Sequence, residues 1–268
     1  MTARSYLYVP GHRRDRFAKA LASGTDAVIL DLEDAVPVSA KDTARDDVAT
    51  FLAGLTTAAV ETWVRINDGD RGRDDLAALA GIGALAGVIV PKSTTDVIAE
   101  RHAQAQHVAL VPLVESAAGI TDVTAIAASD GVRTLAIGEV DLAADLGLGD
   151  DVPGAVLWSL RSQVVVACAA AGRGAPLGPV SRDIDDLARF ESTARALRAA
   201  GFGAVQAIHP KQVPVIKAVY TPTADEISGA QRIIELAEQA DGGVFVDDDG
   251  RMIDEAVLRS ARRVLGTT

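Results

Sequence analysis

Two acidic residues, Glu115 and Asp141, each follow an apolar run in the middle of the chain. Glu115 closes "LVPLVE", and Asp141 lies in "AIGEVDLAADLG". Each has a plainer interpretation: Glu115 could turn out to solvent, and Asp141 could do no more than cap a helix. Side by side, two carboxylates are the hard oxygen ligands that Mg²⁺ prefers, and the sequence has no His–Cys cluster that would favour zinc. The pair therefore predicts a Mg²⁺ site.

Other ionisable residues occupy equivalent places, just after an apolar run. Arg65 in "WVRIN" needs an anion, which would be a ligand or, alternatively, an internal partner such as Asp31 or Glu33. His209 in "AIHPKQ" is as compatible with a buried, hydrogen-bonded histidine as with a functional one. The remaining positions of this kind are His12, Arg13, Asp34, Lys92 and Glu139.

The elements that must position these residues alternate between short apolar runs and stretches of helical period. The candidate strands are 5–9, 27–32, 62–66, 87–91, 107–115, 133–138, 174–178 and 204–209. A doubly wound sheet would fit the alternation, but eight units in about 210 residues match the size of a (β/α)₈ TIM barrel. In such a barrel the C-terminal ends of all eight strands lie on one rim, which is where the ionisable residues fall.

Two regions follow from this pattern. Residues 1–222 are predicted to form the barrel, and residues 223–268, with two further helical segments, a C-terminal helical extension. Within the barrel, Ser39 is the expected N-cap of the second long helix. The stretch "GDRGRDD" at 69–75 is predicted to be a loop.

Composition excludes several classes of protein. The hydrophobic content of 49% is enough for a large core, and the net charge of -11 argues against a general nucleic-acid binder. The lone Cys168 lies in an apolar stretch and is predicted to be core. The N-terminal residues lack the apolar segment of a signal peptide, and no run is long enough for a membrane helix, so we expect a cytoplasmic protein with no membrane partner.

A set of motifs carries a family resemblance. In order, they are "SYLYVPGHRRDRFAKA", "DAVILDLEDAV", "VRIN", "VPK", "VPLVESAAG", "IGEVDLAADLG", "AIHPKQ" and "DDDGRMIDEAV". From about residue 4 to 264 the chain resembles the citrate lyase β-subunit-like proteins of the HpcH/HpaI aldolase superfamily of (β/α)₈ barrels.

The resemblance implies a Mg²⁺-dependent carbon–carbon lyase. Such an enzyme cleaves a citryl, citramalyl or malyl thioester, carried by CoA or an acyl carrier protein, into an acyl thioester and a keto acid. By motif match, Glu115 and Asp141 would hold the metal, and Glu115 would also contact the substrate. Arg65 would face the substrate, and Asp254 would be the acid–base residue, supplied by a neighbouring subunit of a homotrimer.

The resemblance also gives a role to the acidic end of the second strand. Glu33 and Asp34 would accept hydrogen bonds from metal-bound waters and pair with Arg65 or Lys92. The chain departs from the family pattern at one position, because Leu177 stands where family members carry an acidic residue in the seventh strand. That loss favours one alternative, a non-catalytic barrel that binds an oxo acid or a metal as an accessory subunit. A lyase with coupled thioester hydrolysis is a further alternative.

Overall fold

Eight parallel strands close into a barrel in the computed structural model, which describes residues 3–55, 59–149, 151–239, 244–247 and 250–266. Each strand pairs with the next along the chain, and β1 closes the ring on β8 with Ser5 opposite Val205. The strands are β1 Ser5–Pro10, β2 Ala27–Asp31, β3 Glu61–Arg65, β4 Leu85–Val90, β5 Leu110–Val114, β6 Ala136–Ile137, β7 Leu177–Gly178 and β8 Ala204–Ala207. The (β/α)₈ prediction is confirmed, and each strand falls within or next to its predicted run.

Helices fill the connections between successive strands, and one more follows β8. They are α1 Phe17–Leu21, α2 Lys41–Ala53, α3 Gly69–Ala78, α4 Thr95–Gln104, α5 Ala117–Thr121, α6 Val123–Ala128, α7 Glu139–Asp145, α8 Gly154–Ala170, α9 Leu187–Ala199 and α10 Gln212–Tyr220. Their apolar faces cover the outward side of the strands, where Leu7, Leu30 and Val64 are buried. Cys168 lies in this layer and is 1% exposed, which confirms the core prediction.

Alternation along the strands decides what faces the barrel interior. Tyr6, Ile29 and Trp63 belong to one buried interior cluster, and Trp63 is fully buried. Because side chains of a strand alternate with period two, the next inward positions towards the C-terminal ends are Tyr8, Asp31 and Arg65. The apolar layer therefore ends where the polar residues begin.

Two local predictions were wrong. The stretch at 69–75 begins α3, because Asp68 caps the helix and the buried Asp75 side chain accepts hydrogen bonds from both the backbone and the side-chain nitrogens of Asn67. Ser39 is not an N-cap, since a short 3₁₀ turn at Val38–Ala40 precedes α2, and Ala40 occupies the cap position without a side-chain bond.

The chain forms two compact units, Ala3–Tyr220 and the residues from Thr221 onward. In the second unit, α11 (Ala224–Gln239) packs against α12 (Glu255–Leu265), and β9 (Phe245–Val246) pairs antiparallel with β10 (Met252–Ile253). Among the described residues, no helix has the length and apolar character needed to span a bilayer.

Candidate active site

The C-terminal ends of the barrel strands enclose a cavity of about 390 Å³. Its walls include most of the ionisable residues that the sequence places after apolar runs, brought together from β2, β3, β5 and the start of α7. The charged residues of the lining are Asp31, Asp34, Arg65, Glu115, Glu139 and Asp141. His12, Lys92 and His209 are not part of this lining.

Arg65 is held in place by the end of β2. Its Nε and Nη2 atoms donate to the two oxygens of Asp31 at 2.7 Å each, and its Nη1 atom lies 3.0 Å from Glu33 Oε2. The guanidinium also lies over the Tyr8 ring, 5.2 Å from its centroid. Burial opposes the charge, but the bond to Asp31 and the neighbouring acids outweigh it and raise the Arg65 pKa further. The internal pair considered for Arg65 is thus present, and Arg65 still lines the cavity.

Glu33 and Asp34, which follow β2, also approach the Arg65 guanidinium. Burial raises the pKa of the Glu33 carboxyl to about 7, although the charge on Arg65 opposes the shift. Asp34 is largely exposed, with Oδ2 lying 3.7 Å from Arg65 Nη1. The Lys92 Nζ atom lies 3.9 Å from Glu33 Oε1, so Lys92 contacts the same cluster from β4. The predicted grouping of these residues with Arg65 matches their positions; their role towards a metal stays a prediction.

Glu115 is buried with half of its carboxylate unused. Oε1 accepts a hydrogen bond of 2.7 Å from the backbone N–H of Lys92, and Oε2 has no partner among the described residues. Burial raises the pKa of this carboxyl to about 7, and the Asp141 carboxylate adds to the rise. A buried acid in this state is stabilised by a cation that takes its free oxygen.

The backbone around Glu115 is shaped to hold that carboxylate. Lys92 has φ of 48°, in the left-handed region that a side chain makes unfavourable, and this residue aims its N–H at Oε1. Gly138, at the end of β6, leaves room for the other oxygen, because an added Cβ would stand 2.7 Å from Glu115 Oε2. Lys92 lies in the motif "VPK" and Gly138 in "IGE", but the sequence alone did not indicate that these two residues shape the surroundings of the Glu115 carboxylate.

The two acids at the start of α7 differ in availability. Glu139 is bound by Arg161 of α8, with two bonds of 2.7 Å. Asp141 is exposed, lines the cavity and makes no bond to the described part of the chain. Asp34, the other exposed acid of the lining, lies 3.7 Å from Arg65, whereas Glu115 and Asp141 have oxygens free for a ligand and no basic partner among the described residues. The described residues contain no cluster of three or more His, Cys, Asp or Glu suited to a metal. Two carboxylates fit Mg²⁺, which usually keeps several waters and few protein ligands.

Sequence reasoning missed two supporting side chains. Gln206, buried on β8, accepts a hydrogen bond from the Tyr8 hydroxyl and donates to the carbonyls of Ile137 and Gly178, which ties four strands together at the cavity wall. Lys41 donates to the carbonyls of Leu32 and Glu33 and so fixes the loop that carries the acids of β2. Neither residue stands at a strand end in a charged motif, so no local signal identified it.

Three further predicted positions lie outside the cavity. His209 accepts a hydrogen bond from the Lys211 backbone through Nδ1. Leu177 is 2% exposed and belongs to the barrel interior cluster. Asp254 belongs to the C-terminal unit, where its Oδ1 atom caps α12 by accepting from the backbone nitrogens of Ala256 and Val257.

Comparison with known proteins identifies the family of this barrel. The family model for HpcH/HpaI aldolase/citrate lyase matches residues 4–210. A citrate lyase subunit beta-like protein of Mycobacterium tuberculosis is 36% identical, covering 97% of this chain and 93% of the relative. An L-malyl-CoA/beta-methylmalyl-CoA lyase of Cereibacter sphaeroides is 29% identical, covering 98% of this chain and 93% of that protein.

A solved structure resembles the whole chain. Protein CitE from Mycobacterium tuberculosis, in complex with magnesium, acetoacetate and coenzyme A, superposes with a TM-score of 0.82 and 32% identity, covering 99% of this chain and 97% of CitE. The chain belongs to the HpcH/HpaI aldolase/citrate lyase family. It is a carbon–carbon lyase, as the resemblance implied.

Proposed function

We propose that the barrel uses Mg²⁺ to cleave, or in reverse to form, a β-hydroxyacyl-CoA thioester of the citryl, citramalyl or malyl type. The products of cleavage are an acyl thioester and a keto acid. One observation carries the proposal: a buried carboxylate oxygen of Glu115 has no partner among the described residues and lies at a cavity that Asp141 also lines.

Glu115 and Asp141 are the residues that would hold the metal. The free Oε2 atom of Glu115 and the exposed Asp141 carboxylate would supply hard oxygen ligands. Glu33 and Asp34 would accept hydrogen bonds from the waters bound to the ion. When bound, Mg²⁺ supplies Lewis acidity at the oxygen of the reacting carbon and a template for the keto-acid half.

Arg65 would stabilise negative charge on the substrate. In cleavage the β-hydroxyl gives its proton to solvent and becomes the keto oxygen, the carbon–carbon bond breaks, and the electron pair of that bond moves into the thioester as an enolate. A guanidinium already oriented by Asp31 requires little reorganisation to stabilise that charge, and such preorganised electrostatics is usually the largest contribution to catalysis.

Asp254 is the proposed proton donor to the enolate carbon, supplied by a neighbouring subunit of a homotrimer. In the reverse direction it would abstract a proton from the acyl group, a step that typically contributes about 10²–10⁴-fold. Both hydrogen bonds of its cap end on Oδ1, so the cap does not use Oδ2. Just before it, Ile253 is buried and Met252 is 63% exposed, which supports an apolar contact surface at this end of the extension, residues 223–268.

The decisive experiment combines activity and metal binding. Purified protein is assayed against citryl-, citramalyl-, malyl- and hydroxymethylglutaryl-CoA with Mg²⁺ and after chelation, and Mg²⁺ affinity is measured by calorimetry. Glu115→Ala and Asp141→Ala should each abolish activity and weaken Mg²⁺ binding while the fold remains intact. Asp130→Ala, which removes an exposed acid outside the cavity lining, serves as the control.

The same assay separates the alternatives. Keto-acid and Mg²⁺ binding without cleavage of any thioester would support an accessory binding barrel instead. Free CoA that accumulates in step with the keto acid would indicate coupled hydrolysis. Repeating the assay with thioesters of acyl carrier protein identifies the carrier, and wild-type Mg²⁺ affinity in both carboxylate variants would contradict the proposed metal site.

A further inference from the structure

One wall of the cavity is apolar. It is formed by Leu113 of β5, Ile137 of β6, Val180 in the loop after β7, and Ile208 just after β8. Ile208 is 42% exposed although it lines the cavity, so its side chain borders the space that a ligand would enter. Burial of an apolar substituent against this wall stabilises a ligand, whereas an ionised group placed there would lose water without gaining a partner.

The loop after the seventh strand contributes to this wall, close to the position where relatives were expected to carry an acid. Leu177 is packed into the barrel interior, and the strand-seven segment reaches the cavity only through the side chain of Val180. The segment therefore offers a substrate hydrocarbon contact and no charge.

Positive charge in the cavity is already engaged. Arg65 is the one basic side chain among the described lining residues, and three of its N–H directions go to Asp31 and Glu33. Lys92 contacts Glu33 with its ammonium and is not part of the lining. No described lining residue is left as a dedicated partner for a second anionic group.

Negative charge, by contrast, remains in excess. Glu139 is neutralised by Arg161 and Asp31 by Arg65, which leaves Asp34, Glu115 and Asp141 as acids without a full counter-charge. A divalent ion at Glu115 and Asp141 would offset two of these three charges and could take one carboxylate of a keto acid. A second carboxylate would meet Asp34 or the apolar wall, and like charges at short range inside a protein repel strongly.

From this distribution we infer that the site selects keto acids with a single carboxylate and a short apolar substituent, and discriminates against dicarboxylic keto acids. The inference rests on the proposed function and narrows it to thioesters that release a pyruvate-like product. The site would discriminate against a dicarboxylic keto acid because its second carboxylate would be desolvated without finding a partner, so selectivity comes from weakening the binding of the wrong ligand.

Binding of keto acids alone tests the inference without requiring turnover. In titration calorimetry with MgCl₂ present, pyruvate and 2-oxobutyrate should bind about tenfold or more tightly than freshly dissolved oxaloacetate, which is a difference of about 1.4 kcal/mol or more. Ile208→Arg adds a cation to the apolar wall and should narrow or reverse the preference, and Val180→Lys should act in the same direction from the strand-seven side.

The matched control places the same charge elsewhere. Val166 on α8 is 64% exposed and does not line the cavity, so Val166→Arg should leave the preference unchanged. Equal or tighter binding of oxaloacetate by the wild-type protein would overturn the inference, as would Ile208→Arg and Val180→Lys variants that bind but keep the wild-type ratio. A preference for monocarboxylates in a protein that cleaves no thioester would uphold the selectivity and reject the proposed function.

Discussion

Replacement of Arg65 by lysine separates its structural role from its role towards substrate. Arg65 serves both oxygens of the buried Asp31 and also contacts Glu33, a geometry that a planar guanidinium can satisfy. A lysine ammonium keeps the positive charge but cannot reproduce the two parallel N–H donors of the guanidinium. The Lys variant therefore loses at least one charge-assisted hydrogen bond to a buried carboxylate, about 1.5–3 kcal/mol in the free energy of unfolding.

Replacement of Arg65 by alanine should lower the free energy of unfolding further than replacement by lysine. Asp31 is 2% exposed, so Arg65→Ala leaves an uncompensated buried charge, and removal of one partner from such a pair costs about 3–5 kcal/mol. For catalysis the two variants should be similar, because loss of an oriented donor to a developing oxyanion typically lowers kcat by about 10²–10³-fold. The expected result is a graded loss of stability but a nearly equal loss of kcat.

Arg45→Lys is the matched control. Arg45 Nε donates to Asp75 Oδ1 at 2.7 Å, Asp75 is fully buried, and Arg45 does not line the cavity. Urea unfolding and thioester cleavage are measured on all three variants. Arg45→Lys should lose stability and keep kcat; if Arg65→Lys also keeps most of its kcat, Arg65 is a structural partner of Asp31 and the catalytic reasoning fails.

Three other predictions test the site and its backbone. Gly138→Ala should weaken Mg²⁺ binding measured by calorimetry, because the new Cβ overlaps the Glu115 carboxylate that would hold the metal. Gly154→Ala, where an added Cβ meets nothing, should leave Mg²⁺ binding unchanged. Equal Mg²⁺ affinities of the two variants would refute this reasoning. Lys92→Gly should be more stable to urea than Lys92→Ala by about 1 kcal/mol, since only glycine relieves the left-handed backbone; no difference would mean that the backbone carries no strain there. Asp254→Ala should lose lyase activity but keep Mg²⁺ and keto-acid binding. Mixing this variant with Arg65→Ala under conditions of subunit exchange should restore some activity. No recovery despite proven exchange would argue against a residue supplied in trans.

The sequence alone was sufficient to predict the barrel and the rim on which its charges lie. Short apolar runs separated by helical periods specify parallel strands and their covering helices, because both patterns depend only on the local spacing of residues. The inward direction of Arg65 and Asp31 follows from the same alternation, since each lies two residues beyond an interior apolar side chain, Trp63 and Ile29 respectively.

Only the tertiary structure decided which charges remain available for chemistry. Glu139 and Asp141 lie two residues apart in "GEVD" at the start of the same helix, yet one is bound by Arg161 and the other is open to the cavity. Asp31 neutralises an arginine 34 positions away, and Glu115 receives its hydrogen bond from a backbone N–H 23 positions away. These pairings connect different strands or different helices, so they are set by barrel closure and by packing of the helices around it. Local periodicity carries no record of such contacts, which is why the sequence could predict the charged rim but not the free oxygen of Glu115 or the apolar wall of the cavity.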